Sequence, residues 1–354
     1  MKIANNNNPD VVIRPITLKD LNALKHFADV VGSGLTSLPK DRNLLSKKIA
    51  FSVASFNKEA TAPEKELYLF VIEDLAKGKV VGTCAIASKS AVDLPLYTYA
   101  VETHTQTSRT LKIKTDIPVL HLSVMHNGPS ELCSLFLIPE YRVTGLSRLL
   151  SLSRFLFIAS FPHRFEPTLF AQMRGVTDNA GEAPFWNAVG RCFYNMEFTE
   201  ADALVAKDKS FVAELVPTFP IYIPLLPKSA QEIIGQTHPH TTPALKLLEA
   251  EGFHWNNHVD LFDAGPNITC QTKHVKAIKE SQTAIITGIA DNLPSTPKMI
   301  ISNCQIDFRA TYGAIGRLPE QKAVISAALA KSLNVTIGDT VRYLPSSGRT
   351  SITR

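Results

Sequence analysis

Cysteine is scarce and scattered in this chain: five in 354 residues, none of them in a C-x-x-C pair. That spacing excludes the common zinc modules, and the odd number argues against a disulfide framework. Cys84, Cys133 and Cys192 lie in apolar runs and read as reduced core residues. No apolar run approaches the roughly 20 residues that span a bilayer. No block of one charge occurs either: 37 basic and 32 acidic residues leave a net charge of +5, spread along the chain. Nucleic-acid binding wants a concentrated basic stripe, so that class is excluded, while a small anionic ligand suits the charge. Residues 1–10 are rich in Asn and lack the apolar core of a signal peptide. What is present is a globular composition, 45% hydrophobic and 19% charged, in a chain long enough for two or three cores. The expectation is a soluble, cytoplasmic protein with no metal and no nucleic-acid or membrane partner.

One stretch organises the rest. Residues 132–138 form a short apolar run closed by Pro139, which reads as a buried strand. Leu146, Leu149, Leu150, Leu152, Phe155 and Leu156 follow with helical spacing. Between them lie Arg142, Gly145 and Ser147. A strand that turns sharply into a helix leaves unpaired N–H groups at the helix start, which favour a phosphate. The Arg-x-x-Gly-x-small pattern resembles the pyrophosphate-binding turn of the acyl-CoA N-acyltransferase superfamily. Ser147 stands where Gly or Ala is usual.

Residues 11–16 predict a strand, residues 18–31 a helix opened by a Thr17–Asp20 capping box, and residues 41–56 a second helix. Residues 32–39 form a glycine- and hydroxyl-rich loop able to close over a substrate. Residues 66–74 and 79–87 predict a hairpin, and residues 97–101 and 119–124 are extended. Beyond the central helix come a strand at 168–175, a turn at 178–181 and a helix at 184–198 with Phe185, Val189, Cys192 and Phe193 as its apolar stripe. Residues 211–216 read as extended, and Thr242 and Pro243 open a helix that stops at Gly252. After residue 282, short strands surround one helix within 318–333. The expected organisation is a flexible 1–10, an N-acyltransferase-like half at 11–165 carrying the CoA turn, a second and related α/β half at 166–270, and a small β-rich region at 271–354.

Blocks in register then resemble one family. They include residues 32–39, Ser130 to Cys133, Met173 to Gly175, Pro184 to Trp186, Pro220 to Tyr222, Ile234 to Gln236, His238-Pro239 and Phe262 to Pro266. Together they resemble the arginine N-succinyltransferase family, which includes arginine/ornithine succinyltransferase subunits. The resemblance implies an α/β (α+β), acyl-CoA N-acyltransferase-like fold. It implies transfer of succinyl from succinyl-CoA to the α-amine of L-arginine, the first step of arginine degradation by the succinyltransferase pathway. It makes His238 the proton donor and Leu135 a succinyl-CoA-binding position. Gln172 departs from the resemblance, since Glu is expected there; so do Glu182-Ala183 before Pro184 and Leu215-Val-Pro217.

Amide formation from a thioester needs a free amine, a polarised carbonyl and a proton for the departing thiolate. His238, with His240 in reserve, suits the proton step. A main-chain N–H near Leu135 or Leu137 suits the carbonyl, and Arg142, Gly145, Ser147 and Arg148 suit the pyrophosphate. Arg174 is a partner for the succinyl carboxylate. Glu131 and Asp178 are substrate candidates, and Asp202, Glu214 and Asp260 are further acids for a guanidinium. Two other functions stay open: an N-acyltransferase for ornithine or another amine, and a non-catalytic subunit paired with a paralogous chain. A homo-oligomer is the alternative assembly.

Overall fold

Val11–Pro15 (β1) buries Val11, Val12 and Ile13. Asp20 accepts the Thr17 N–H at 2.8 Å and pairs with Arg14 at 2.8 Å, which holds Leu18–Asp20 in a 3-10 turn. The α-helix therefore starts later than expected, at Leu21–Val31 (α1), and faces the core with Leu24, Phe27 and Ala28. Arg42–Asn57 (α2) is capped by Asp41, whose side chain accepts the N–H groups of Asn43 and Leu44. Leu67–Asp74 (β2) and Lys79–Ala87 (β3) form the expected hairpin. Leu96–Ser108 (β4) and Ile113–Met125 (β5) pair along their whole length, and residues 102–107 and 111–116 are exposed at the far end of that ribbon.

Ser130–Leu137 (β6), a 3-10 turn at Pro139–Thr144, Leu146–Ser160 (α3) and Thr168–Gln172 (β7) follow. Helix α3 buries Leu146, Leu149, Leu150, Leu152, Phe155 and Leu156, with Phe157 and Ile158 beside them. Each such side chain stabilises the fold by about 1.5–3 kcal/mol. Short helices then run through Pro184–Ala188 (α4), Gly190–Tyr194 (α5), Phe198–Val205 (α6) and Ser210–Leu215 (α7) to the two-residue strand Ile221–Tyr222 (β8). Lys228–Gln231 (α8) and Thr242–Glu249 (α9) lead to His254–Asp260 (β9), Pro266–Gln271 (β10) and Lys276–Glu280 (α10). The last part holds Gln282–Ile289 (β11), Met299–Asn303 (β12), Ala310–Gly313 (β13), Ile315–Leu318 (β14), Lys322–Ile325 (β15), Ala327–Leu333 (α11) and Thr340–Pro345 (β16).

The structure is a computed structural model that describes residues 10–31, 37–178, 181–205, 208–290, 293 and 297–345. Of the expected features, residues 1–9, residues 32–36 of the glycine-rich loop and residues 179–180 of the 178–181 turn lie outside the described residues. The strands join in one sheet in the order β14-β15-β11-β16-β12-β13-β1-β2-β3-β6-β7-β10-β9-β4-β5-β8. Strands β4 and β5 cross to the far side and pair with β9 and β8, so the sheet interleaves residues 11–165 with residues 166–270. The C-terminal strands continue the same sheet. Ala310 pairs with Ile13, the Thr311 hydroxyl donates to Val11 O, and the Tyr312 hydroxyl donates to Gly145 O at 3.1 Å.

Three local readings change. The helix expected over 184–198 breaks at Val189, and just past the break the missing side chain of Gly190 lets the Trp186 ring pack against the backbone. Beyond the break, Cys192 and Phe193 are exposed, and Cys192 is not a core residue. Residues 211–216, apolar enough for a strand, form most of helix α7 instead, with Val212 buried. The one helix within 318–333 begins not near Pro319 but at Ala327, after strand β15, and Ser326 caps it by accepting the Leu329 N–H.

Candidate active site

Strands β6 and β7 are parallel and pair only at Ser130↔Leu169 and Glu131↔Phe170. Beyond Glu131 they part and leave a wedge in the middle of the sheet. The β6 side of the wedge is distorted: Ser134 sits at φ +53°, and the register with β3 shifts between Thr83 and Ala85. A bulge of this kind takes main-chain groups out of the ladder and re-aims them. The Ser134 hydroxyl and the Lys48 ammonium both donate to Ser37 O, at 3.4 and 2.6 Å, so the end of the glycine-rich loop rests on the bulge. Leu135, just past the bulge, is half-buried, and Leu137 is buried.

The β6 strand runs into the turn before α3. Gly145, at φ +77°, makes the corner, and the space around its Cα is open. A side chain there would be strained by the left-handed backbone. At the start of α3 the Arg148 N–H donates to Gly145 O at 3.1 Å, and the amides of Leu146 and Ser147 are the ones an α-helix itself leaves without a partner. Arg142 uses its Nε–H on Leu137 O at 2.9 Å, with the guanidinium over the Phe136 ring, and is otherwise exposed. Ser147 and Arg148 are half-buried in the first turn of the helix, and the Arg148 Nε is buried without a partner. Gly145, Ser147, Arg142 and Arg148 are thus brought together at one end of β6. Helix-start amides and guanidinium groups are the donors that suit a pyrophosphate.

Across the wedge, β7 ends at Gln172, and the chain crosses β10 at very close range. A Cβ on Gly175 would lie 2.2 Å from Asp263 O, and one on Gly265 would lie 2.0 Å from Met173 O. Asp263 bridges this crossing, accepting the Gly175 and Gly265 N–H groups at 2.7 and 2.8 Å. Burial, reinforced by the neighbouring Asp260, raises the pKa of Asp263. His238 is tied to the same segment by its N–H to Arg174 O at 2.8 Å. Its Nδ1 accepts the His240 N–H at 3.1 Å, which leaves Nε2 to carry the ring proton in the neutral form. Desolvation, then the charges of Arg174 and His240, hold its pKa below the usual histidine range. Arg174 donates to Thr177 at 3.0 Å, and its Nε is buried without a partner among the described residues. Asp178 is exposed and accepts the Glu182 N–H in its own turn.

The acids sort by burial. Glu131 is half-buried on β6; burial raises its pKa, and Lys209 and Lys48 oppose that shift. Asp260 accepts the Phe262 and Asp263 N–H groups at 2.7 and 3.2 Å through one oxygen, and the Gln172 amide lies 3.4 Å from the other. Lys48, Lys209 and Asn267, all near this group, were not singled out by sequence reasoning. No spacing along the chain links them. Only the pairing of Gln172 with Asn267 shows the connection. Among the described residues, no group of three or more His, Cys, Asp or Glu is placed to hold a metal ion. No described helix is long and apolar enough to cross a membrane.

A parallel strand pair splayed around a bulge, with a glycine corner and helix at one end, is the frame of an acyl-CoA N-acyltransferase. The chain belongs to the arginine N-succinyltransferase family: the family model described as arginine N-succinyltransferase beta subunit matches residues 11–277, and the model of its C-terminal domain matches residues 282–345. It is 42% identical to an arginine N-succinyltransferase of Enterobacter sp. (strain 638), over 94% of this chain and 97% of that one. It is 41% identical to the arginine N-succinyltransferase subunit beta of Pseudomonas aeruginosa, over 96% and 99%. Among solved structures, subunit AI of the Pseudomonas aeruginosa arginine/ornithine succinyltransferase superposes with a TM-score of 0.87. It shares 34% identity and covers 96% of this chain and 99% of its own.

Proposed function

We propose that the protein is an arginine N-succinyltransferase, moving the succinyl group of succinyl-CoA to the α-amine of L-arginine as the first step of arginine degradation. The observation that carries this reading is family membership over nearly the whole chain, joined to a wedge that has His238 on one side and a phosphate-binding corner on the other. The amides around Gly145, with Arg142 and Arg148, hold the CoA pyrophosphate. The main-chain N–H at Leu135, freed by the bulge, polarises the thioester carbonyl. Arg174, whose buried Nε lacks an acceptor, receives the succinyl carboxylate.

In the transfer, the nitrogen–carbon bond forms, the carbon–sulfur bond breaks, and one amine proton ends on sulfur. His238 directs its Nε2–H at that sulfur as a hydrogen-bond donor that stabilises the departing thiolate, while the proton that neutralises the thiolate is the one lost by the amine. Desolvation, then the charge of Arg174, lowers the pKa of His238 and favours the neutral ring near pH 7. Coupled CoA-release assays with succinyl-CoA and a panel of amines test the reading. Arginine turning over fastest is the expected result; faster turnover of ornithine would move the assignment to the alternative amine. The chain acting alone on no amine would leave the non-catalytic subunit. The word "subunit" in two relatives' names supports an assembly of identical or paralogous chains, which a native mass measurement tests.

A further inference from the structure

A polar stripe crosses one face of the sheet beside the wedge. Phe170, which pairs with Glu131, lies two residues before Gln172, and Gln172 pairs with Asn267; paired residues and those two apart share a face. Asp260 joins them, since its N–H bonds to Gly265 O and its carboxylate meets the Gln172 amide. Asn267 is only 3% exposed, yet its Oδ1 has no hydrogen-bond partner among the described residues. A buried carbonyl oxygen without a donor is costly and rare in a native fold. Asn267 pairs with Gln172, whose amide lies 3.4 Å from the Asp260 carboxylate.

We infer that Asn267 and Asp260 together seat the cationic end of the acceptor's side chain, with Glu131 turned to its α-amine. The inference rests on the proposed function and adds the residues that select the substrate. A guanidinium presents five N–H donors in one planar fork and accepts nothing, so it matches one amide oxygen and one carboxylate on neighbouring strands. Two strand spacings, roughly 9–10 Å, separate β6 from β10. That separation suits a long side chain whose amine lies at the thioester and whose charge lies at the far strand. Gln172, between them, donates to Asp260 where a second carboxylate would repel it.

The test compares kcat/KM for L-arginine and for L-norvaline, which lacks the cation, with succinyl-CoA as donor. Asp260→Asn removes the charge, and Asn267→Leu removes the amide oxygen at similar volume. In each variant the arginine-over-norvaline ratio falls about 10- to 100-fold, mostly through the KM for arginine. The ratio is taken within one preparation, so partial unfolding does not mimic the effect. A wild-type ratio in both variants, with the parent enzyme active on arginine, overturns the inference alone. A parent enzyme that releases no CoA with arginine overturns the proposed function, and this inference with it.

Discussion

On the β6 side of the wedge the proposed binding groups are main chain: the amide past the Ser134 bulge, the first amides of α3 and the corner at Gly145. On the β7–β10–β9 side they are side chains: His238, Arg174, Gln172, Asn267 and Asp260. The main-chain side is built from one stretch of sequence and tolerates many residue types, because any residue but proline carries an N–H. The side-chain side is assembled from residues far apart in the chain, and each type matters. The difference teaches where such an enzyme can vary its substrate without losing its acyl donor.

The largest expected break is on the side-chain side. His238→Ala lowers kcat by about two to four powers of ten, the usual scale for a positioned acid–base group, measured by steady-state CoA release. Unchanged turnover would take His238 out of the chemistry. Arg174→Met raises the KM for succinyl-CoA about 10- to 100-fold, because a charge-assisted partner of the succinyl carboxylate is lost. The same variant removes a cation that disfavours the imidazolium, so the pKa of His238 moves up toward the usual range. In the wild type kcat/KM falls as pH drops through that lowered pKa, because protonation of Nδ1 displaces the His240 N–H. In Arg174→Met this acid limb shifts to higher pH, as a pH–rate profile and ring NMR titration read out.

On the main-chain side the effects are smaller. Gly145→Val costs about 1–2 kcal/mol of backbone strain at φ +77°, with no steric clash, and weakens succinyl-CoA more than arginine. Thermal unfolding and the two KM values separate those outcomes. Leu135→Ala changes kcat by less than about threefold, since the N–H that polarises the carbonyl stays in place. A drop of a hundredfold there would show that the leucine side chain, not its amide, does the work.

The same contrast sets what the sequence made readable. Residues 130–160 hold strand, turn and helix in one continuous segment, so the apolar run, Pro139 and Gly145 were enough to place the corner that is proposed to hold a phosphate. The resemblance pointed to His238, which composition alone would have left as an ordinary surface histidine. Asn267 carries no signal of its own: its role depends on pairing with Gln172, ninety-five positions earlier in the numbering. Helix α7 was misread as a strand because Phe211, Val212, Leu215 and Val216 have apolar character suited to either, and packing of Val212 under the second part of the sheet decided it. The helix over 184–198 breaks at Val189 although its local pattern is sound, and the packing of the Trp186 ring at Gly190 is invisible in the linear pattern.

The hydroxyl of Tyr312 reaches the carbonyl of Gly145 across more than a hundred and sixty residues of chain. The last strands therefore brace the corner that is proposed to receive the nucleotide. Harm done to β13, even by a change remote from every reacting atom, will surface first as a poorer grip on coenzyme and only later as loss of the fold.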